Sequence, residues 1–202
     1  MSKHFKYLTK ILHPYRGVLY FVVLLLLTHF LWKLVVDGDL HGQRIAIFGK
    51  DLTPQFHSLS VFTVNMVHWL VRLFPNTDDF YKNGSLMYFQ DGIRINIIWG
   101  CTAVKQLYIF IVIMLFYKGP WKKKLWYIPA GCVILWVYNI VRIAMICWLT
   151  YQHSERFYFL HEGLFRYIFY GLIFLLWVIW EEMFAKVVVP QEPLEGKFPQ
   201  IT

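Results

Sequence analysis

Acidic residues are scarce in this chain, with 12 Asp and Glu against 20 Lys and Arg, and none of them lies deep inside an apolar run. A buried cation in such a run therefore has no carboxylate to pair with from a neighbouring run. Cysteine is also rare: Cys101, Cys132 and Cys147 stand alone, with no CxxC spacing, which argues against a disulfide framework or a zinc site. The eight histidines include no HExxH or similar pair, so neither a metal nor any other cofactor is expected. Charge as a whole is thin at 16%. The basic residues gather at the ends of apolar runs instead of covering a polar face, which speaks against nucleic acid as a partner and for a topological role.

Apolar sequence is what the chain has in abundance. Its hydrophobic share is 58%, its aromatic share 20% and its mean hydropathy +0.47, the profile of a membrane protein. Four runs are long enough to be read as spans: 17–36, 101–117, 125–150 and 163–182. Lys3, Lys6, Lys10 and Arg16 precede the first, which resembles a signal peptide but is too long and lacks a small-residue cleavage site, so it is read as an uncleaved helix. "YKGPWKKK" reads as a cytoplasmic loop, and the segment 37–100, with five Lys/Arg and six Asp, suits the outer side. The expected architecture is all-α: one membrane domain over 1–189 with both termini cytoplasmic, and a disordered tail over 190–202.

Two features sit in the outer segment. Residues 59–74 carry Asn65, His68 and Arg72 on one helical stripe, as expected of an amphipathic helix in the outer interface. The competing reading packs that stripe inside the bundle. "SLMYFQ-DG-IRINII" predicts a short β-hairpin turning at Asp91-Gly92.

Arg142 is the most informative residue. It lies in "LWVYNIVRIAMICWLT" within the third span, with Asn139 nearly one turn earlier on the same face. An arginine there costs about 2.5–3.5 kcal/mol to insert and is a functional candidate, the bland alternative being a structural ion pair. Cys101 opens the second span, followed by Lys105 and Gln106; His161 lies at or before the last, with Arg166 in its first turns. A thiolate at a helix N-terminus, with Lys105 at i+4, is an activated nucleophile; histidine exchanges protons near neutral pH, and arginine stabilises an oxyanion. Cys132 and Cys147 read as small packing residues.

These islands, in this order, resemble the exosortase/archaeosortase family of integral membrane cysteine transpeptidases. "GCTAVKQ" is similar to its cysteine motif, a Cys followed by Ser-Gly; "NIVR" matches its Asn-x-x-Arg motif, and "LHEG" its histidine region. The chain departs in having Thr102-Ala103 for Ser-Gly, and in its length resembles the compact Bacteroidetes-type members. The resemblance implies Cys101 as nucleophile, Arg142 as stabiliser of the transition state or substrate, and His161 as general acid/base. It implies a multi-pass protein of the plasma (inner) membrane with an extracytoplasmic active site. The implied substrates are secreted proteins ending in a motif, an apolar helix and a basic cluster, cleaved through a thioester and transferred to a membrane lipid or glycan acceptor. A hydrolytic cysteine protease shares the acylation step, and a non-catalytic scaffold of a surface polysaccharide or export assembly is the reading from another class.

Overall fold

The computed structural model describes residues 15–38, 44–75, 77–90, 94–150 and 163–185; the basic N-terminal segment, Asp91-Gly92, His161 and the tail 190–202 lie outside them. Five helices dominate: α1 (Arg16–Val35), α2 (Thr53–Val71), α3 (Val104–Phe116), α4 (Trp121–Thr150) and α5 (Phe165–Trp180), which runs on through a wider last turn, Glu181–Ala185. Of these α1, α4 and α5 with its last turn are long and apolar enough to cross a membrane, and α3 is a shorter apolar helix. The protein is a mostly helical membrane protein.

Side-chain contacts fix how these helices run. Tyr20 Oη donates to Phe116 O at 3.1 Å and the Trp32 and Tyr108 rings lie 5.2 Å apart, so α1 and α3 are antiparallel. Tyr127 Oη donates to Leu176 O at 2.7 Å, and Tyr138 packs on Phe169 at 5.1 Å, so α4 and α5 are antiparallel as well. One end of the bundle therefore collects Arg16, Lys118 and Lys122 to Lys124. The other collects the end of α1, the start of α3, the last turns of α4 and the start of α5. Phe21, Phe110, Ile113, Tyr117, Ile173 and Trp180 fill the core between the helices. Gly131 lets α4 approach α3, since a Cβ there would stand 2.3 Å from the Phe110 ring.

Of the lysines expected in a loop, Lys118 lies in one, whereas Lys122 to Lys124 belong to the first turn of α4. Lys124 is buried and donates to Leu115 O at 2.9 Å and to Tyr117 O. It thereby satisfies carbonyls that the end of α3 leaves open, which explains why the helix begins before residue 125.

The segment before α3 holds more β-structure than the sequence predicts. Strands β1 (Val36–Gly38), β2 (Ile45–Ile47) and β3 (Lys50–Asp51) form one antiparallel sheet. Strands β4 (Phe80–Asn83), β5 (Leu86–Phe89) and β6 (Arg94–Asn96) form another, in that spatial order. β5 and β6 pair with Leu86 opposite Asn96 and Tyr88 opposite Arg94, on either side of the Asp91-Gly92 position. β4 joins through a tight turn at Gly84, whose φ is 58°, after Asn83. Asn-Gly is the same kind of turn signal as Asp-Gly, but its strands are too short for their period to stand out.

Helix α2 starts at Thr53, with Pro54 in its first turn, six residues before its expected start at 59. Its polar stripe serves the second sheet: Lys82 Nζ donates to Asn65 Oδ1 at 2.5 Å, and His68 Nε2 lies 3.2 Å from Phe80 O. Arg72 at its end is exposed. The adjoining face contributes Val64, Val67 and Val71 to a second core with Met87, Phe89 and Ile97 of the sheet region and Ile140, Ile143 and Ala144 of α4. α4 has 30 residues, about 45 Å, whereas hydrocarbon is about 30 Å thick. Its last turns thus serve as the post to which the sheet and α2 are fixed.

Candidate active site

Cys101 closes a tight turn, Trp99–Cys101, that precedes α3 and does not belong to it. The interruption is Ala103, whose φ of 62° and ψ of 5° are left-handed, so the helix can begin only at Val104. The expected i, i+4 pairing of Cys101 with Lys105 fails for that reason, because it needs unbroken helix between them.

The turn is fastened from several directions. Cys101 N donates to Ile98 O at 2.9 Å, and Thr102 Oγ1 donates to Trp99 O at 2.6 Å. Asn139 Nδ2 donates to Cys101 O at 2.9 Å, which ties the turn to α4. Trp99 lies against Gly38 of β1, where a Cβ would be 2.6 Å from the indole. Asn139 is 1% exposed, so its amide is committed to this one backbone carbonyl in a dry setting.

Arg142 follows three residues later on α4, on the same face as Asn139. It is 7% exposed, and its Nε has no hydrogen-bond partner among the described residues. Counting along the helix, it stands about 27 Å above Lys124, close to the full hydrocarbon thickness. It therefore stands toward the end of the bundle opposite the lysines. Burial pushes the Cys101 thiol up, while a backbone hydrogen bond at Ile98 and the Arg142 guanidinium pull it back down. The resting sulfur is therefore protonated at neutral pH.

The structure thus brings Cys101, Asn139 and Arg142 together. Lys105 lies instead within electrostatic reach of Lys33 and Arg166. Arg166 is also within electrostatic reach of Arg142. Gln106 buries an Oε1 without a partner among the described residues. His161 lies outside the described residues, two positions before Gly163, where they resume.

Two cavities flank the approach to Cys101. One of about 400 Å³ is lined by Thr53, His57, Ser60, Asn96 and Trp99 among others. The second, about 150 Å³, is lined by Cys101 itself with the segment Ile95–Ile98 and by Ile143, Ile146 and Cys147 of α4. Sequence reading missed Trp99, Ile143 and Ile146 as site residues. Ile143 and Ile146 are at i+4 and i+7 from Asn139, so the helical face was the signal that could have found them.

Residues 45–180, about two-thirds of the chain, match the family model described as Transmembrane exosortase (Exosortase_EpsH). The chain belongs to the transmembrane exosortase family. No curated protein and no solved structure matches it. In this exosortase the matched region runs from β2 to the end of α5, and so takes in both cavities and every described residue of the site.

Family membership gives the left-handed residue a meaning. Ala103 occupies the position where the resembled cysteine motif carries glycine, and it adopts the backbone conformation that glycine favours. Left-handed geometry costs an L-residue about 1–2 kcal/mol, while burying the Ala103 methyl returns about 0.8 kcal/mol. Ala103→Gly is accordingly expected to be neutral or to stabilise by up to about 1 kcal/mol, and Ala103→Val to lower the melting temperature by several degrees. Thermal unfolding in detergent checks both, and a Val variant as stable as the parent would contradict the left-handed assignment.

Proposed function

We propose that the protein is a membrane cysteine transpeptidase acting on C-terminal sorting signals of secreted proteins. The observation that carries this reading is a buried guanidinium whose Nε is unpartnered among the described residues, in electrostatic contact with a cysteine whose backbone is fixed by the same helix face. In the proposed reaction Cys101 Sγ attacks the carbonyl carbon of a peptide bond, with its proton taken up by His161. The carbonyl oxygen becomes an oxyanion that the Arg142 guanidinium stabilises. The carbon–nitrogen bond then breaks, His161 returns the proton to the leaving amine, and a thioester on Cys101 remains. A nucleophile on a membrane lipid or glycan resolves the thioester and regenerates the thiol. Because the resting thiol is protonated, the base is needed at the first step. At the start of α5 the Phe165 carbonyl takes the Tyr138 hydroxyl at 3.4 Å, which joins that end of α5 to α4.

The orientation proposed is N-terminus and C-terminus cytoplasmic, in the plasma membrane. It is supported by the basic end of the bundle, which holds Lys118 and Lys122 to Lys124, lying opposite to Cys101. Four spans follow if α3, 13 residues or about 20 Å long, crosses as well. Edge strand β6 leads directly into the Cys101 turn and offers backbone groups for an extended substrate motif to pair with.

The test is to trap the intermediate. A secreted reporter ending in motif, apolar helix and basic cluster is expected to form an adduct that hydroxylamine releases and that maps to Cys101. A product with a modified C-terminus indicates transfer, a free carboxylate hydrolysis. Turnover of the reporter with no hydroxylamine-sensitive adduct at any stage would refute the thioester.

A further inference from the structure

The smaller cavity is made from two separate stretches of chain, 95–101 and 143–147, that meet at the nucleophile. Ile95 and Ile97, two apart on an extended segment, present the same face, and Ile143, Ile146 and Cys147 of α4 close the far side around Cys101. The lining is almost wholly aliphatic, and the volume is about 150 Å³. Apolar cavities of about 150 Å³ stay dry and accept a benzene-sized guest. A charged group would lose its water there without a partner, and an indole would be too large.

β6 is the edge of its sheet, so a peptide laid along it turns alternate side chains toward α4 as it approaches Cys101. We infer that this cavity receives one aliphatic or phenyl side chain of the substrate, from the residue adjoining the bond that Cys101 attacks. The inference rests on the transpeptidase reading and adds to it the chemical class of one recognised residue. Motif choice is then set by fit to Ile95, Ile97, Ile143 and Ile146.

The cavity can be read without a substrate, by the rate at which methanethiosulfonate reagents modify Cys101, with mass mapping to separate it from Cys147. Each rate is divided by that for free cysteine in the same detergent. The benzyl reagent is expected to lead the sulfonatoethyl reagent by about 10-fold to 100-fold. Ile146→Trp should fill the space and erase that lead while leaving the small methyl reagent unchanged. Ile146→Ala should move the preference to the naphthylmethyl reagent, which covers the case in which the tryptophan variant does not fold. In the reporter, alanine in place of the residue adjoining the mapped cleavage point should lower kcat/KM by about 10-fold to 100-fold. An unchanged benzyl lead in Ile146→Trp, no lead in the parent, or a reporter indifferent to that residue would each overturn the inference. Processing that survives Cys101→Ser would sink the transpeptidase reading while leaving the reagent preference in place, so the two failures are distinguishable.

Discussion

Cys101→Ser is expected to insert normally and to process the reporter at less than about one-thousandth of the parent rate, as loss of a covalent nucleophile does elsewhere. The substitution changes one buried atom in a turn whose hydrogen bonds run through backbone groups, the Thr102 hydroxyl and the Asn139 amide, all of which it leaves in place. Folding should therefore move by no more than about 0.5 kcal/mol. The hydroxyl is a far weaker acid than the thiol, and burial already holds the thiol above its usual range, so proton removal becomes much harder. Asn139→Ala makes a useful contrast, since it leaves the sulfur but orphans the Cys101 carbonyl, and so should cost both stability and rate. The measurement is reporter cleavage in membranes at matched protein levels. Cleavage at the parent rate by the serine protein would remove Cys101 from the reaction.

The helices were legible because membrane insertion imposes long apolar runs, and α1, α4 and α5 fall close to the expected limits. Apart from the pair flanking Asp91-Gly92 the strands were not, because with two to four residues each they are too short for an alternating period to register. The 59–74 stripe shows the same limit. Asn65 and His68 have the spacing of a water-facing helix, yet their partners are the Lys82 side chain and the Phe80 carbonyl, which no periodicity can reveal. Asn139 and Arg142 could be grouped from sequence because three residues along a helix is a distance. Cys101 and Lys105 could not be treated alike, because left-handed Ala103 intervenes. Nothing in "CTAV" announces that turn without the comparison to a motif that has glycine there.

Two replacements of Arg142 separate its charge from its shape. The guanidinium is one of the influences that lower the Cys101 thiol, so removing it lets burial act more fully. In Arg142→Gln the thiol rises further, the thiolate fraction at any given pH falls, and iodoacetamide labelling of Cys101 should shift to higher pH. Arg142→Lys keeps the charge and should leave the labelling curve near that of the parent. It loses the planar fork, however, and with it the paired donors aimed at the oxyanion. Losing one such donor costs about 10²–10³-fold in turnover, so the lysine protein should label well and process poorly. Glutamine should do both badly. If labelling in Arg142→Gln follows the parent curve, the guanidinium does not act on the sulfur. The burial of Arg142 would then need an explanation unconnected with the thiol, and the site would lose the cation on which its chemistry depends.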